Sequence, residues 1–455
     1  MKQIIVIGGG PAGYPAALKA ASLGAQVTLV EKNKLGGVCL NYGCIPSKSL
    51  LDAAHRFWGV QSLAALGNET AQAAAQALFE SRDFTKMQAR QRAATAKLTQ
   101  GISLLLKKAG VQVLQGTASF QDEQTVLVQT LQGPQTLTAD GVIIAAGTEA
   151  FYPPPFDALK GKIYDNSTIF SMPQLPHSLA IVGGGVIGCE MADLFSALGV
   201  EVHLIELQPR LLPLEDENAV RVLNQAFVKR GIKIHTGVSA TAAVQTENGF
   251  EITLSDGSKL ETEKVLAAIG RTADLADLHL ENVGISWTRK GVSVNPHTLQ
   301  VKNNIYAAGD ITGLCLLAHA ATRQGEVAAS NLCGVAATYE NDRVPRAIYT
   351  TPEIAAVGLS RAQAQAQKIA VKAHKTFFLA NGRAVAQGQT EGYVEWLSDA
   401  QNGKLLGACL VGAQASELVH VAAVALAAGF TAAQFQQVIF AHPTLAESVW
   451  EAAFK

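Results

Sequence analysis

The sequence has no excess of charge of either sign and no long apolar run. Its 455 residues include 36 Lys and Arg against 37 Asp and Glu, for a net charge of −1 at pH 7. This balance excludes the strong electrostatic attraction with which basic proteins bind nucleic acid or anionic membranes. The longest apolar candidate, at residues 421–430, has about half of the ~18–20 residues that a membrane-spanning helix needs. We therefore expect no nucleic-acid partner and no membrane anchor.

Cysteine is also scarce, with six in the chain. Four of them, Cys189, Cys315, Cys333 and Cys409, stand alone, which is typical of buried or inert thiols in a reducing compartment. The N-terminal MKQIIVIGGG continues into a proline and further glycines without a cleavage region, so we expect a first strand there and a cytoplasmic protein. No pattern of clustered Cys and His requires a metal, and no metal is expected.

Two segments of the chain resemble each other. They are IIVIGGGPAGYPAALKAASLGAQVTLVEK, from Ile4, and LAIVGGGVIGCEMADLFSALGVEVHLIEL, from Leu179. In each, an apolar strand precedes a glycine turn, an alanine-rich helix and a second strand that ends in Glu. Between them, residues 48–110 predict helices and residues 111–137 predict strands. Since 455 residues exceed the size of one core, the duplication indicates separate domains.

The first segment contains the G-x-G-x-x-G pattern as Gly8, Gly10 and Gly13, directly after the strand and before the helix. Such glycines allow a tight turn, close approach of the backbone to a pyrophosphate and close packing of the helix, whose positive end faces the phosphates. Glu31 ends the next strand, where a carboxylate can accept hydrogen bonds from a ribose. The combination predicts a dinucleotide site.

The second segment repeats the pattern as Gly183, Gly185 and Gly188, and Glu206 takes the place of the ribose-binding acid. An acidic residue repels a 2′-phosphate, which favours NAD over NADP, although Arg210 lies close by in the sequence. Two dinucleotide sites in one chain indicate two cofactors that exchange electrons, and a flavin with a nicotinamide is the natural pair.

The remaining cysteines, Cys39 and Cys44, stand five positions apart in LGGVCLNYGCIPSK. A disulfide needs Cα atoms about 4.4–6.8 Å apart, which is closer than residues i and i+5 of a regular helix. Gly43 and Pro46 favour an irregular helix start at which the pair can close, and a helix N-terminus stabilises a thiolate. The residues alone leave open a redox pair, a structural staple, a metal corner and two unrelated thiols.

Taken together, the motifs resemble those of the flavin-dependent pyridine nucleotide-disulfide oxidoreductases of class I. GGVCLNYGCIPSK is similar to their redox-active disulfide segment, IYAAGD to their second flavin motif, YTTPEIAAVGLS to the start of their dimerisation domain, and AHPTLAES to their terminal catalytic segment. The resemblance implies an α/β fold with two Rossmann-like dinucleotide-binding domains and a C-terminal α+β dimerisation domain. The implied parts are an FAD-binding domain with the redox disulfide at 1–149, an NAD-binding domain at 150–271, a central domain completing the FAD site at 272–344, and an interface domain at 345–455.

The resemblance also implies catalytic roles. Cys39 would be the thiol that exchanges with the substrate, and Cys44 would face the flavin. Lys48 and Glu190 would form an ion pair beside the reactive edge of the flavin.

The C-terminal HPTLAE suggests two roles for Glu447. With Thr444 it fits the T-x-x-E capping box of a helix start, and Pro443 keeps His442 outside that helix. Thiol–disulfide exchange needs a base, usually His, which a carboxylate on the other ring nitrogen would orient. The two roles are compatible. In the family this His–Glu pair reaches the disulfide of the opposite subunit, which implies a homodimer. The family often has a second His where this chain has Phe440.

The resemblance assigns further residues to the two cofactors. Those expected at FAD are Gly8, Gly10, Pro11, Gly13, Glu31, Lys32, Gly37, Val38, Lys48, Ala118, Ala146, Gly147, Thr148, Asp310, Leu316, Leu317, Ala318 and His319. Those expected at NAD are Gly183, Gly185, Val186, Ile187, Gly188, Glu190, Glu206, Val238 and Gly270.

The implied activity is the FAD-dependent oxidation of dihydrolipoamide to lipoamide, with reduction of NAD⁺ through a Cys39–Cys44 disulfide. The implied partners are a second copy of the chain and a lipoyl group of a 2-oxo acid dehydrogenase complex or of the glycine cleavage system. The alternatives are another NAD(P)H-dependent disulfide reductase and a flavoprotein whose role is mainly binding or sensing.

Overall fold

A computed structural model of the protein describes residues 1–454, which divide into two compact units. Each unit combines segments that are distant from one another in the chain. The first consists of Met1–Pro153, Tyr164–Leu175 and Ile269–Asn341, and the second of Pro154–Ile163, Pro176–Ala268 and the chain from Asp342 onward.

The described residues form thirteen α-helices and seven short 3₁₀ turns. The helices are α1 Gly13–Ser22, α2 Gly37–Tyr42, α3 Cys44–Ala64, α4 Glu69–Glu80, α5 Phe84–Lys108, α6 Val186–Ala197, α7 Glu217–Lys229, α8 Ala318–Leu332, α9 Arg361–Ala366, α10 Gly382–Gln387, α11 Ala415–Ala427, α12 Ala432–Gln436 and α13 Ala446–Ala452. The 3₁₀ turns are Asp157–Leu159, Ile169–Ser171, Ala276–Leu278, Leu280–Val283, Asp310–Thr312, Asn341–Arg343 and Phe378–Ala380. The helices predicted for residues 48–110 are confirmed as α3, α4 and α5.

The same part of the chain forms twenty-five strands. They are β1 Gln3–Ile7, β2 Gln26–Glu31, β3 Gln112–Gln115, β4 Thr117–Phe120, β5 Thr125–Thr130, β6 Gly133–Thr138, β7 Gly141–Ile144, β8 Glu149–Ala150, β9 Ser178–Val182, β10 Glu201–Glu206, β11 Lys233–Thr236, β12 Ala240–Thr246, β13 Gly249–Leu254, β14 Lys259–Thr262, β15 Lys264–Ala267, β16 Arg271–Thr272, β17 Trp287–Thr288, β18 Gly291–Val292, β19 Gln300–Lys302, β20 Ile305–Ala307, β21 Arg346–Ile348, β22 Glu353–Gly358, β23 Val371–Phe377, β24 Tyr393–Asp399 and β25 Leu405–Gly412. Strands β3 to β6 confirm the β-structure predicted for residues 111–137.

The first unit is built on a six-stranded sheet in the order β19-β20-β7-β1-β2-β3. Its strands are parallel, apart from the antiparallel β19–β20 pair. From Ile4 to Ile7 the central strand β1 is buried and apolar, as expected where both faces of a parallel sheet are covered. Its Ile5 and Ile7 join a core with Phe120 and Val126, which come from a small antiparallel sheet in the order β4-β5-β6. The Rossmann-like architecture predicted for this part of the chain is confirmed.

The second unit contains a parallel sheet in the order β11-β10-β9-β15 and a three-stranded sheet, β12-β13-β14. It also contains a five-stranded antiparallel sheet in the order β21-β22-β25-β24-β23. Helices α11 and α13 pack on that sheet around Trp396, whose indole N–H donates to the carbonyl of Val449 at 2.8 Å. The second Rossmann-like fold and the C-terminal α+β domain are therefore confirmed.

Among the α-helices of residues 1–454, none combines the length and the apolar character needed to cross a membrane.

Candidate active site

The first glycine loop connects β1 to α1 and leaves almost no space for side chains. A Cβ added at Gly13 would lie 1.7 Å from the carbonyl oxygen of Gly8, and one at Gly8 would lie 2.2 Å from that of Ala145. Gly8 also has a φ of +104°, which favours glycine. Helix α1 begins at Gly13, and its N-cap residue, Ala12, makes no side-chain hydrogen bond to it. The positive end of α1 therefore adjoins the loop, where it favours a phosphate.

The second glycine loop repeats this construction between β9 and α6. A Cβ added at Gly188 would lie 1.8 Å from the carbonyl oxygen of Gly183. Helix α6 starts at Val186, directly after Gly185, and again has no side-chain cap. Both loops therefore have the close backbone packing that a pyrophosphate-binding loop needs. Their binding of the cofactors stays a prediction.

The two acidic residues at the ends of the second strands hold these loops. Glu31 accepts a hydrogen bond from the N–H of Gly9 at 2.6 Å, and Glu206 accepts one from the N–H of Gly184 at 2.6 Å. The other oxygen of each carboxylate accepts from a backbone N–H two residues further along. Each acid thus stabilises its glycine loop, a role that the sequence did not indicate, in addition to its predicted place at a ribose.

Arg210 is the basic residue that left NADP as an alternative to NAD in the sequence analysis. In the structure it is hydrogen-bonded within its own loop. Its Nη1 donates to the carbonyl of Glu215 at 2.8 Å and its Nη2 to that of Pro213 at 2.7 Å. A guanidinium bound in this way stabilises the loop after β10. Its engagement favours NAD at the second dinucleotide site.

The cysteine pair lies at a break between two helices of the first unit. Cys39 is in α2 and Cys44 is the first residue of α3, with Gly43 between the helices at φ −141° and ψ −108°. This confirms the irregular helix start predicted from Gly43 and Pro46. Both thiols are half-buried and unbridged, and their side chains are hydrogen-bonded to each other. The two sulfurs are therefore close to each other, as a redox disulfide requires.

The neighbouring Cys44 raises the pKa of the Cys39 thiol, which disfavours its thiolate form. The hydrogen bond with Cys44 raises the pKa of Cys39 most, burial and the charge of Cys44 raise it further, and the charge of Lys48 lowers it.

A polar network in the first unit surrounds Asp310. The Thr148 hydroxyl donates to Asp310 at 3.0 Å and accepts from the Nε of Arg271 at 2.8 Å. Arg271 also donates to the carbonyl of Thr148 and, at 2.9 Å, to Asn166. Burial raises the pKa of the Asp310 carboxyl, and the charge of Arg271 counteracts it. The structure thus brings the predicted residues Thr148 and Asp310 together.

Arg271 and Asn166 were missed by the sequence analysis. Arg271 directly follows Gly270 in KVLAAIGR. Its charge, next to a predicted nucleotide contact, was the signal that could have identified it. Nothing in the local sequence marks Asn166, which lies 105 residues from Arg271 along the chain.

Helix α8 packs across the first glycine loop. A Cβ added at Gly325 of α8 would lie 2.1 Å from the carbonyl oxygen of Ala12. The Thr322 hydroxyl donates to the carbonyl of Pro11 at 3.1 Å. The predicted segment Leu316–His319 spans the start of α8, whose N-terminus has no side-chain cap. The structure therefore joins this segment and Pro11 in one region, and Thr322 and Gly325 are additions to the predicted set.

The terminal pair is formed as predicted. The Nδ1 of His442 lies 2.9 Å from the Oε1 of Glu447, and 78% of the His442 side chain is exposed. The N–H of Thr444 donates to the Oε2 of Glu447 at 2.7 Å, and this bond is the main cause that lowers the pKa of Glu447. With Nδ1 engaged, Nε2 is the ring atom that can exchange a proton with a substrate.

The predicted capping box at Thr444 is wrong in one half. Helix α13 begins at Ala446, and its N-cap residue, Leu445, makes no side-chain hydrogen bond. Glu447 does bond the backbone of Thr444, but the Thr444 hydroxyl donates to the carbonyl of Ala441 at 2.9 Å. This bond closes a turn before the helix. The Thr444 hydroxyl therefore does not cap α13, which begins at Ala446.

Other predicted residues lie in several elements of the two units. Lys48 is in α3 of the first unit, and Glu190 is buried in α6 of the second, where it accepts from the N–H of Tyr349 at 3.2 Å. Their ion pair stays a prediction. Ala118 is buried in β4, and Gly270 accepts from the N–H of Phe151 at 3.1 Å. Their roles at the cofactors also stay predictions.

The sequence matches known families over nearly its whole length. Residues 2–325 match the pyridine nucleotide-disulphide oxidoreductases, and residues 344–453 match the dimerisation domain of the same group. The dihydrolipoyl dehydrogenase of Bacillus subtilis strain 168 is 40% identical over 452 residues, which are 99% of this chain and 97% of that protein. That of Zymomonas mobilis is 35% identical over 456 residues, 99% of this chain and 96% of that protein.

Solved structures have the same fold. The crystal structure of LpdA from Mycobacterium tuberculosis has a TM-score of 0.91 at 28% identity and covers 100% of this chain and 99% of its own. The HOCl-induced flavoprotein disulfide reductase RclA from Escherichia coli has a TM-score of 0.85 at 25% identity, with 99% of each chain covered.

Proposed function

Because the chain belongs to the pyridine nucleotide-disulphide oxidoreductase family, we propose that it oxidises dihydrolipoyl groups and transfers the electrons through FAD to NAD⁺. The hydrogen-bonded pair Cys39–Cys44, at the break between α2 and α3, is the observation that supports this most directly. The full-length similarity to dihydrolipoyl dehydrogenases supports the lipoyl substrate.

We propose that the two glycine loops bind the cofactors. Gly8, Gly13 and the start of α8 would hold FAD, and Gly183 with Gly188 would hold NAD. When bound, FAD supplies a two-electron carrier between the dithiol and NAD⁺. Lys48 and Glu190 are proposed to form their ion pair beside the reactive edge of the flavin.

Two thiol–disulfide exchanges describe the chemistry of the protein's own residues. A substrate thiolate attacks the sulfur of Cys39 in the Cys39–Cys44 disulfide, and Cys44 leaves as a thiolate. The second substrate thiolate then attacks the mixed disulfide, releases Cys39 and closes the lipoyl ring. The Nε2 of His442 accepts the proton of the attacking thiol, while Glu447 at Nδ1 orients the ring and stabilises its charged form.

The dimerisation domain at residues 344–453 supports a homodimer. The same region exposes large apolar side chains in the single chain, among them Leu379 at 70% and Ile439 at 96%. Since His442 is also exposed, we propose that it acts on the disulfide of the partner subunit. The further partner is proposed to be a lipoyl group of a 2-oxo acid dehydrogenase complex or of the glycine cleavage system, in the cytoplasm.

The direct test adds dihydrolipoamide and NAD⁺ to the purified holoprotein and follows the absorbance of NADH. We expect NADH formation that stops when NAD⁺ is omitted and that is much slower with NADP⁺. Oxidised glutathione with NADPH serves as the comparison for another disulfide substrate. Absence of NADH from a protein whose flavin is still reducible by NADH would contradict the proposed substrate.

A second prediction concerns the first glycine loop. We expect Gly13→Ala to weaken FAD binding by about tenfold or more, which corresponds to at least about 1.4 kcal/mol. The added Cβ would collide with the backbone oxygen of Gly8 and displace α1 from the loop. FAD content after gel filtration measures the effect. Gly59→Ala makes the same chemical change in α3, where no atom lies within 4 Å of the new Cβ, and should retain FAD.

A further inference from the structure

Asn381 lies between the 3₁₀ turn Phe378–Ala380 and helix α10, far in sequence from the terminal catalytic segment. The residue is 6% exposed, and both ends of its amide are hydrogen-bonded. Oδ1 accepts from the N–H of Ala384 at 3.0 Å and caps α10. Nδ2 donates to the carbonyl of Thr444 at 3.0 Å. A single buried amide therefore connects the start of α10 to the loop that carries His442.

Thr444 is the residue through which this connection reaches the His–Glu pair. Its carbonyl is held by Asn381, and its N–H donates to the Oε2 of Glu447 at 2.7 Å. The other oxygen of Glu447 faces the Nδ1 of His442 at 2.9 Å. A displacement of Thr444 would therefore also displace the carboxylate that orients the imidazole.

The other side of the loop is held by packing. Phe440 lies two residues before His442, and its ring centroid is 5.8 Å from that of Phe435 and 6.3 Å from that of Trp450. His442 itself is exposed between these two anchors. The aromatic contacts fix the loop without defining a direction for the carboxylate, which the hydrogen bond from Asn381 can do.

We propose that Asn381 is a positioning residue for the His442–Glu447 pair. It fixes Thr444 so that Glu447 bonds the Thr444 N–H with one oxygen and His442 with the other. The proposal rests on the proposed function, because it assumes that His442 accepts the proton of the substrate thiol. Asn381 itself contacts neither substrate nor cofactor in this scheme.

Asn381→Asp removes the bond to Thr444, keeps the acceptor that caps α10 and places a carboxylate next to the Thr444 carbonyl. Aspartate caps a helix about as well as asparagine, but it has no N–H to give to the Thr444 carbonyl. We expect reduction of the flavin by dihydrolipoamide to slow by roughly tenfold, since small misplacements of a catalytic group have effects of this size or larger. Reduction of the flavin by NADH, which does not use His442, should change by less than about twofold. Stopped-flow absorbance of the flavin in the holoprotein measures both half-reactions.

Asn402→Asp provides the matched control. Its Oδ1 accepts from the N–H of Lys404 at 2.9 Å in an exposed turn of the same domain, so the same substitution leaves that bond intact. Both half-reactions should keep wild-type rates in this variant.

A double-mutant cycle with Glu447→Gln tests whether Asn381 acts through Glu447 or affects the domain as a whole. If Asn381 acts through Glu447, then Asn381→Asp should slow the dithiol half-reaction by less than about twofold in the Glu447→Gln background. Independent, multiplicative losses would overturn the proposal. Equal slowing of the dithiol and NADH half-reactions by Asn381→Asp would overturn it as well.

Hydrogen exchange tests the connection without reference to activity. Peptides covering residues 437–447 should exchange faster in Asn381→Asp than in the wild type, while the start of α10 keeps its protection. Unchanged exchange at 437–447 would contradict the role of Asn381. A wild-type protein that does not oxidise dihydrolipoamide would instead contradict the proposed substrate, and the exchange result would still decide whether Asn381 holds the loop.

Discussion

Replacing Cys44 with serine is expected to lower turnover with dihydrolipoamide and NAD⁺ by roughly 10⁴-fold or more, because essential nucleophilic groups contribute on this scale. A serine hydroxyl cannot form a disulfide with Cys39, so the substrate thiolate would have no sulfur–sulfur bond to attack. FAD should stay bound, since the first glycine loop and α8 are unchanged. The rate of NADH formation and the flavin content of the purified variant measure the two effects.

Cys333→Ser is the control for this substitution. Cys333 is the C-cap residue of α8, and burial raises the pKa of its thiol. Its replacement should leave turnover near the wild-type rate. Cys39→Ser should be as inactive as Cys44→Ser, because either change removes the disulfide. Wild-type turnover in Cys44→Ser would exclude the Cys39–Cys44 disulfide as the electron carrier.

Removal of the Asp193 carboxylate is expected to destabilise the second unit by about 3–5 kcal/mol, the usual effect of breaking a buried ion pair. Asp193 in α6 is fully buried, and its Oδ2 lies 2.6 Å from the Nη2 of Arg230, whose side chain is 9% exposed. The same oxygen accepts from the N–H of Thr351 at 2.7 Å. In Asp193→Ala the guanidinium would lose its carboxylate partner, while its Nε and Nη1 are already buried without a hydrogen bond.

Thermal unfolding of the holoprotein measures this loss, which should lower the midpoint by about 10 °C for a unit of this size. Lys259→Ala removes an exposed ion pair with Glu251 in the same unit and should have an effect below about 1 kcal/mol. The double variant Asp193→Leu with Arg230→Met should recover part of the stability, because no charge is then left unpaired. A double variant less stable than Asp193→Ala would contradict this explanation.

Local patterns in the sequence were sufficient for the central parts of the candidate site. The glycine loops, their acids and the cysteines at a helix break depend on residues within about thirty positions of each other, so spacing and residue type define them. The two Rossmann-like folds follow from the same duplicated segments. The C-terminal α+β domain was predicted through the resemblance of YTTPEIAAVGLS and AHPTLAES.

Contacts between distant segments could not be predicted in this way. Arg271 bonds Thr148 across 123 residues, and Asn381 bonds Thr444 across 63. Such pairs leave no periodic pattern in the sequence, because the two residues become neighbours only when the chain has folded. The error at Thr444 has a related cause: a hydroxyl that fits a capping box locally can be bound by another carbonyl, here that of Ala441.

The bonds from Glu31 and Glu206 to their own glycine loops limit how the coenzyme preference of this enzyme can be engineered. Replacing Glu206 to admit a 2′-phosphate would also remove the acceptor of the Gly184 N–H. A redesigned enzyme would therefore need another acceptor for the Gly184 N–H, such as a Ser or Asn side chain, in addition to basic residues that bind the 2′-phosphate. Since Glu31 holds the other loop separately, such a redesign can be carried out at one nucleotide site without altering the other.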